Sequence, residues 1–310
     1  MSKLLVVFGA TGQQGGSLVD YVINDPELSK QYNVRGVTRD LSKPAAQALL
    51  QKGVEVVKGD ADDKESLEQA MQGAHTVFAI TVTIYDHLTK RREISQGKAM
   101  ADAAVATGAH YFIFSSLSHA GRISGSKLQN IDHFDGKADV EEYIRTLPIK
   151  SAFFAPGSFM QNFGGMMAPH PAGDGTYALS NFVKPETQLP LIDTVGDTGK
   201  YIGAILAEPE KYESKVFSAA TRLYSYSEIV QTMSQMTGKT VKYNQLPESV
   251  FRGFLPPQSA DSLAEMFLYI QDYGYYGPQT KELVEWTANQ ARGKLTTLEE
   301  YLIKCPLNLQ

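Results

Sequence analysis

A short apolar run, Leu4-Leu5-Val6-Val7-Phe8, passes directly into Gly9-Ala10-Thr11-Gly12-Gln13-Gln14-Gly15-Gly16-Ser17. No other stretch of the chain restricts its fold as strongly. The run has the length and composition of a strand buried on both faces, and the residues after the turn take up an amphipathic helical pattern. Gly9, Gly12 and Gly15 keep a Gly-x-x-Gly-x-x-Gly spacing, which lets backbone approach a pyrophosphate with no Cβ in the way. A helix beginning near Gln13 turns its free N–H groups and positive dipole end toward that phosphate. Such a pattern is informative only between a strand and a helix, and that is where it stands. The expected cofactor contacts in the turn are Gly9, Thr11, Gly12, Gln13, Gln14 and Gly15.

Up to about residue 157, short apolar runs alternate with longer helical patterns, which predicts βαβ units and a parallel sheet. Strands are expected at residues 4–8, 34–38, 54–58, 76–80, 111–115 and 151–155, with helices over 15–24, 45–52, 64–71, 90–107 and 132–147. Right-handed crossovers put a dinucleotide at the carboxyl ends of such strands, where the winding direction reverses. After Gly157 the texture changes. Residues 164–190 are rich in Gly, Pro and Met and predict loops and short strands along a cleft. Helices are expected over 193–206, 225–237, 260–273 and 297–304, with Thr297 near the N-cap of the last, and a strand at 217–220. The expectation is an α/β protein: a Rossmann-type doubly wound parallel sheet in residues 1–157 and a smaller α/β C-terminal lobe in residues 158–310. No repeat, low-complexity tract or linker separates the two, so the lobe is expected to pack directly on the sheet domain.

Several classes of function are excluded by composition. A net charge of −5 leaves no electrostatic footprint for nucleic acid, which also argues against a DNA-binding regulator. The single Cys305 rules out an intramolecular disulfide and any cysteine-based metal site. With no apolar run of membrane-spanning length and no leader-like start, the chain is expected to be cytoplasmic, with nuclear shuttling left open.

The end of the second strand bears on which dinucleotide is held. An acidic side chain there takes the adenosine ribose hydroxyl, whereas arginine accommodates a 2′-phosphate. Here Val37-Thr38 is followed by Arg39, with Lys43 four residues on, so NADP(H) is expected over NAD(H). Asp40, one position late, could partly restore ribose recognition. Asp60, after the third strand, fits a loop over the adenine, where it would accept from the exocyclic amino group. Asp62 and Asp63 read as the start of the next helix rather than as cation ligands.

Taken together, these residues resemble the NmrA-like family of atypical short-chain dehydrogenases. The resemblance rests on Gly9-Ala10-Thr11-Gly12-Gln13-Gln14-Gly15-Gly16, Val37-Thr38-Arg39, His133-Phe134-Asp135-Gly136-Lys137, Val140-Glu141-Glu142-Tyr143 and Pro156-Gly157-Ser158-Phe159-Met160-Gln161-Asn162-Phe163. It is similar in particular to the subgroup proposed to sense the NADPH/NADP ratio and to bind regulatory partners. The family's dehydrogenases use a tyrosine proton donor, a lysine four residues later and a serine at an earlier strand end. The resemblance puts Lys137 in the lysine place, Ser115 and Ser116 in the serine region, and His133 where tyrosine would stand. Two readings of His133 follow: a general acid replacing tyrosine, or a helix residue against cofactor or solvent with no proton to give. The second is preferred. The resemblance also implies that Phe159, Met160 and Asn162 cover the nicotinamide, although Phe159 reads equally as core.

Other residues carry weaker expectations. Tyr85 follows the fourth strand and would reach the nicotinamide side. His119 would meet a substrate or stand in solvent, and His110 would cap the preceding helix. Tyr269, Tyr273, Tyr275 and Tyr276 form an aromatic group that reads first as packing of the second lobe, and otherwise as the wall of a cleft or a partner surface. Two functions remain: an NADP(H)-binding redox-sensing regulator acting through protein partners, or an NADPH-dependent reductase of a small apolar carbonyl, enone or imine.

Overall fold

The structure, a computed structural model, describes residues 2–309. In the first half, strands and helices alternate: β1 (Lys3–Phe8), α1 (Gln13–Asn24), the single turn α2 (Leu28–Gln31), β2 (Tyr32–Thr38), α3 (Pro44–Gln51), β3 (Glu55–Lys58), α4 (Lys64–Met71), β4 (Thr76–Ala79), α5 (Thr89–Ala106), β5 (Tyr111–Ser115), the short α6 (Ala120–Ile123), α7 (Asp132–Ile144) and β6 (Lys150–Pro156). The second half contains β7 (Ser158–Phe159), β8 (His170–Pro171), β9 (Tyr177–Asn181), β10 (Gln188–Ile192), α8 (Thr194–Ala207), β11 (Val216–Ala219), β12 (Arg222–Ser225), α9 (Tyr226–Thr237), β13 (Val241–Gln245), α10 (Glu248–Phe254), α11 (Ala260–Tyr273), α12 (Thr280–Ala288) and α13 (Leu298–Lys304).

Seven parallel strands form the central sheet in the order β11-β6-β5-β4-β1-β2-β3. The reversal of winding falls between β1 and β4, so the carboxyl ends of these two strands open the crevice in which doubly wound sheets bind ligands. Side chains of β1 alternate between two cores. Leu5 and Val7 join Leu18, Val22, Phe154 and Ile205 on the face covered by α1 and α8, whereas Val6 and Phe8 join Met71, Met100, Phe114 and Val140 on the other. All-apolar strands are the expected result of burial on both faces.

The chain beyond residue 157 contributes to the same layers. β11 pairs with β6 at the sheet edge, and α8 lies along α1, where the Gly199 N–H donates to Ser17 Oγ at 3.0 Å. The remaining segments build a third core around Tyr224, Tyr226, Met233, Tyr269 and Tyr301, framed by the small sheets β12-β10-β7 and β13-β9-β8. Thr297 caps α13 in a reciprocal arrangement with Glu300, as its position suggested. Sequence pattern did not reveal α10, α12, β12 or β13. These elements span only four to nine residues, too short for periodicity to register. Among the described residues, no helix is long and apolar enough to cross a membrane.

Candidate cofactor site

The glycine turn closes the carboxyl end of β1. Gly9 adopts φ +66°, a left-handed conformation, and its carbonyl accepts the Gly12 N–H at 2.8 Å. A Cβ on Gly15 would lie 2.6 Å from the Gly9 carbonyl carbon and nearer still to its oxygen. Backbone thus occupies the space a side chain would need. Gly12, at the N-cap of α1, offers no side-chain acceptor, so the first-turn N–H groups have no side-chain cap and remain suited to an anion. Thr11, Gly12 and Gln13 are exposed at the mouth of the turn. Gln14 is not: it is buried, and its side-chain carbonyl accepts from Ser115 Oγ at 2.9 Å. Its contribution is a tie between the turn and the end of β5.

Arg39 stands exposed just beyond β2 and has no ion pair among the described residues; Lys43 is exposed at the N-cap of α3. Asp40 is partly exposed beside Arg39, with one carboxylate oxygen engaged locally. Its Oδ1 accepts the Ser42 backbone N–H at 2.9 Å and the Ser42 hydroxyl at 2.6 Å, and these bonds hold the carboxyl below its ordinary range. Asp60 lies in the turn after β3, where its Oδ1 accepts the Asp62 N–H at 3.1 Å. Asp63 caps α4 through Ser66 N–H at 3.2 Å. Asp62 accepts from the Gln96 side chain, so the three aspartates serve three separate local tasks.

At the carboxyl ends of β4 and β5 the central feature is a buried ion pair. Lys137 Nζ, on α7, lies 2.7 Å from Glu93 Oε2, on α5, and donates to Thr81 Oγ1 at 2.5 Å. The Thr81 hydroxyl in turn donates to Glu93 Oε2, and Thr83 Oγ1 donates to Oε1 at 2.6 Å. Burial alone would raise the Glu93 pKa, but the Lys137 ammonium and the hydroxyl donors outweigh it and hold the carboxylate below its usual range. Lys137 is pushed down by burial and supported by Glu93. Neither Glu93 nor Thr81 was expected from sequence. The available signal was that Glu93 shares a helical stripe with the buried Gly97, Met100, Ala101 and Ala104.

One turn before Lys137, His133 is buried on α7. Tyr85 meets its ring edge-on with centroids 5.3 Å apart, and Ser262 Oγ from α11 lies 3.3 Å from Nδ1. Burial, then the Lys137 charge, lowers its pKa to about 4. The imidazole is therefore neutral at physiological pH and cannot act there as an imidazolium acid. Because the folded-state pKa lies below the unfolded value, the unfolded chain takes up this proton first as pH falls. The resulting stability is complete above about pH 6.5 and is lost as pH falls toward about 4. Thermal denaturation across that interval is expected to show a shallower loss for His133→Asn than for wild type, by on the order of 2 kcal/mol.

Ser115 and Ser116 are both buried, with the Ser116 N–H donating to Phe154 O at 2.9 Å. Burial, with Glu93 adding, pushes the Tyr85 phenol up to about 12, so it remains protonated. His119 is half-buried rather than standing in solvent. It caps α6 by accepting the Arg122 N–H at 3.2 Å and lies against Asp135 and Asp139 of α7, a tie between two helices. His110 does not cap α5, whose C-cap is Thr107. It stacks on His75 at 5.0 Å, at the opposite end of the sheet. Phe159 is half-buried against the core under α8, and Met160 is fully buried. Tyr269, Tyr275 and Tyr276 pack around Phe134 and one another as lobe core, while Tyr273 is half-buried.

A doubly wound parallel sheet with a glycine cradle at its switch point defines a Rossmann-type protein. The chain belongs to the NmrA-like family, whose profile it matches over residues 1–302. It is 29% identical over 304 residues to an NmrA-like family domain-containing oxidoreductase, FrzB, of Cladobotryum sp, covering 91% of this chain and 88% of that protein. Among solved structures it is similar to NmrA, a negative transcriptional regulator determined with NADP, with TM-score 0.83 and 22% identity over 98% of this chain and 95% of that one. The triphenylmethane reductase of Citrobacter sp. complexed with NADP(H) has a similar fold, with TM-score 0.79 and 21% identity over 97% and 99% of the two chains.

Proposed function

We propose that this chain holds NADP(H) in the crevice between β1 and β4, and that it works as a redox-responsive regulator with weak or no dehydrogenase activity. In this reading the pyrophosphate lies on the Gly9–Gly15 turn, Arg39 and Lys43 meet the 2′-phosphate, Asp60 borders the adenine, Lys137 binds the nicotinamide ribose and Phe159 borders the ring. Residues 1–157 supply most of these contacts and residues 158–310 the cover and partner surface. NmrA itself has been determined with NAD as well as NADP, so the phosphate preference rests on Arg39, exposed and without an ion pair among the described residues. Arg39→Ala is expected to weaken NADPH binding about tenfold, or ~1.4 kcal/mol, and to leave NADH binding unchanged in calorimetric titration.

The observation that carries the regulatory reading is the state of His133. A bound nicotinamide supplies hydride, and a carbonyl or imine accepting it needs a proton. His133 stands in the proton donor's place as a buried neutral imidazole, and Ser116, at the end of β5, is likewise buried. Cofactor occupancy would then be reported through the segment after β4, whose Thr81 and Thr83 are tied to Glu93 and Lys137, and passed to partner proteins in the cytoplasm. An occupancy signal requires the ligand to favour one arrangement of that segment over another. A screen of NADPH oxidation against ketones, enones and imines tests this, and turnover above about 1 per second with any of them would overturn the regulatory role.

One observation favours the reductase reading instead. Val82 and Ile84, 58% and 49% exposed, place apolar surface on the segment beside Lys137, where an apolar substrate would enter. The same screen separates the two readings.

A further inference from the structure

We infer that Glu93 is the positioning residue of the cofactor site, keeping Lys137 charged and fixed beneath the place of the nicotinamide ribose. The inference rests on the NADP(H) reading above and extends it to a residue outside the family motifs.

The argument begins with helix packing. α5 and α7 approach closely because Gly136 faces Glu93: a Cβ on Gly136 would lie 2.9 Å from Glu93 Cβ. That contact sets Glu93 beside the next residue of α7, Lys137. The Glu93 side chain is only 2% exposed and that of Lys137 only 10%. An ammonium so buried stays charged only with an anion beside it. Glu93 supplies that anion, and both of its oxygens also accept hydroxyl protons from Thr81 and Thr83. Thr81 relays the arrangement: it accepts from Lys137 and donates to Glu93. Two of the three Lys137 donors are thereby assigned, and one is left for a ribose oxygen. The carboxylate thus fixes the charge and the direction of the lysine and holds the segment after β4 in place.

The other titratable groups acting on the pair are Tyr85, which is neutral, and His133, also neutral. Arg92, next to Glu93, turns outward to Asp86 at 2.8 Å. No second anion takes over if Glu93 is neutralised. In Glu93→Gln the single amide oxygen can accept from only one of the two threonines, and Lys137 loses its counter-charge and gives up its proton at lower pH than in wild type. A purely structural role would weaken binding equally at every pH.

Two readouts test this on the full chain. The first is NADPH affinity from pH 6 to 8.5. Wild type and Glu93→Asp are expected to hold a nearly flat profile, and Glu93→Gln to lose about tenfold as pH rises. The second needs no cofactor: carbamylation of Lys137 by cyanate, which reacts with the neutral amine, followed by peptide mass spectrometry. At pH 7.5 Lys137 in Glu93→Gln is expected to react at least about ten times faster than in wild type. A Glu93→Gln protein with the wild-type carbamylation rate overturns the inference, even if it binds NADPH weakly. Wild type that fails to bind NADPH while carbamylation still responds to Glu93 overturns the cofactor reading and leaves the charge-holding role of Glu93 supported.

Discussion

Gly15→Ala is expected to lower NADPH affinity by at least about 100-fold, or ~2.7 kcal/mol, while leaving a folded protein. The added Cβ would sit 2.6 Å from the Gly9 carbonyl carbon, so the Gly9 peptide or the start of α1 must move. Either shift breaks the 2.8 Å bond from Gly12 N–H to Gly9 O and carries the first-turn N–H groups out of register with a pyrophosphate. Gly16→Ala is the control. Its Cβ meets Ala10 O at 3.4 Å, an ordinary contact, and alanine favours the helix. Fluorescence titration with NADPH is expected to find this variant within about threefold of wild type, a difference under ~0.7 kcal/mol. Equal binding by the two variants would mean that the turn does not carry the phosphate.

The second large effect concerns stability. Lys137→Met leaves Glu93 as a buried carboxylate with only hydroxyl donors, and is expected to cost about 3–5 kcal/mol. For a chain of this size that corresponds to a Tm lower by roughly 5–8 °C. Glu93→Gln combined with Lys137→Met removes both charges and is expected to recover most of the loss, because the desolvation of each ion goes with its partner. The readout is the coupling term of the thermal double-mutant cycle. A Lys137→Met protein melting within about 2 °C of wild type would show that the pair is not held out of water.

The parts of the site that sequence disclosed are the local ones. Gly9 to Gly15 lie within one turn, and a strand, a turn and a helix can be read in a single window. His133 and Lys137 are four residues apart on one helix face, so their shared environment follows from helical geometry. Arg39 follows directly from the end of β2. What stayed hidden depends on contacts between distant segments. Glu93 meets Lys137 across 44 residues, and Ser262 meets His133 across 129. A single glutamate in a helix ordinarily reads as solvent-facing, and only its place on the stripe with Gly97 and Met100 marks it as buried. The His110 cap was misjudged, and the contacts of His119 between two helices were missed, for a related reason: their partners, His75, Asp135 and Asp139, lie on other elements. In the second half, α12 and β13 are too short for periodicity, and packing against β11 and β9 defines them.

The most direct test of the account is calorimetric titration of the wild-type protein with NADPH, NADP+ and NADH under one set of conditions. The two phosphorylated forms are expected to bind with dissociation constants at least about tenfold below that of NADH, a difference of ~1.4 kcal/mol or more. Equal affinity for NADH and NADPH, or no binding by any of the three, would contradict it.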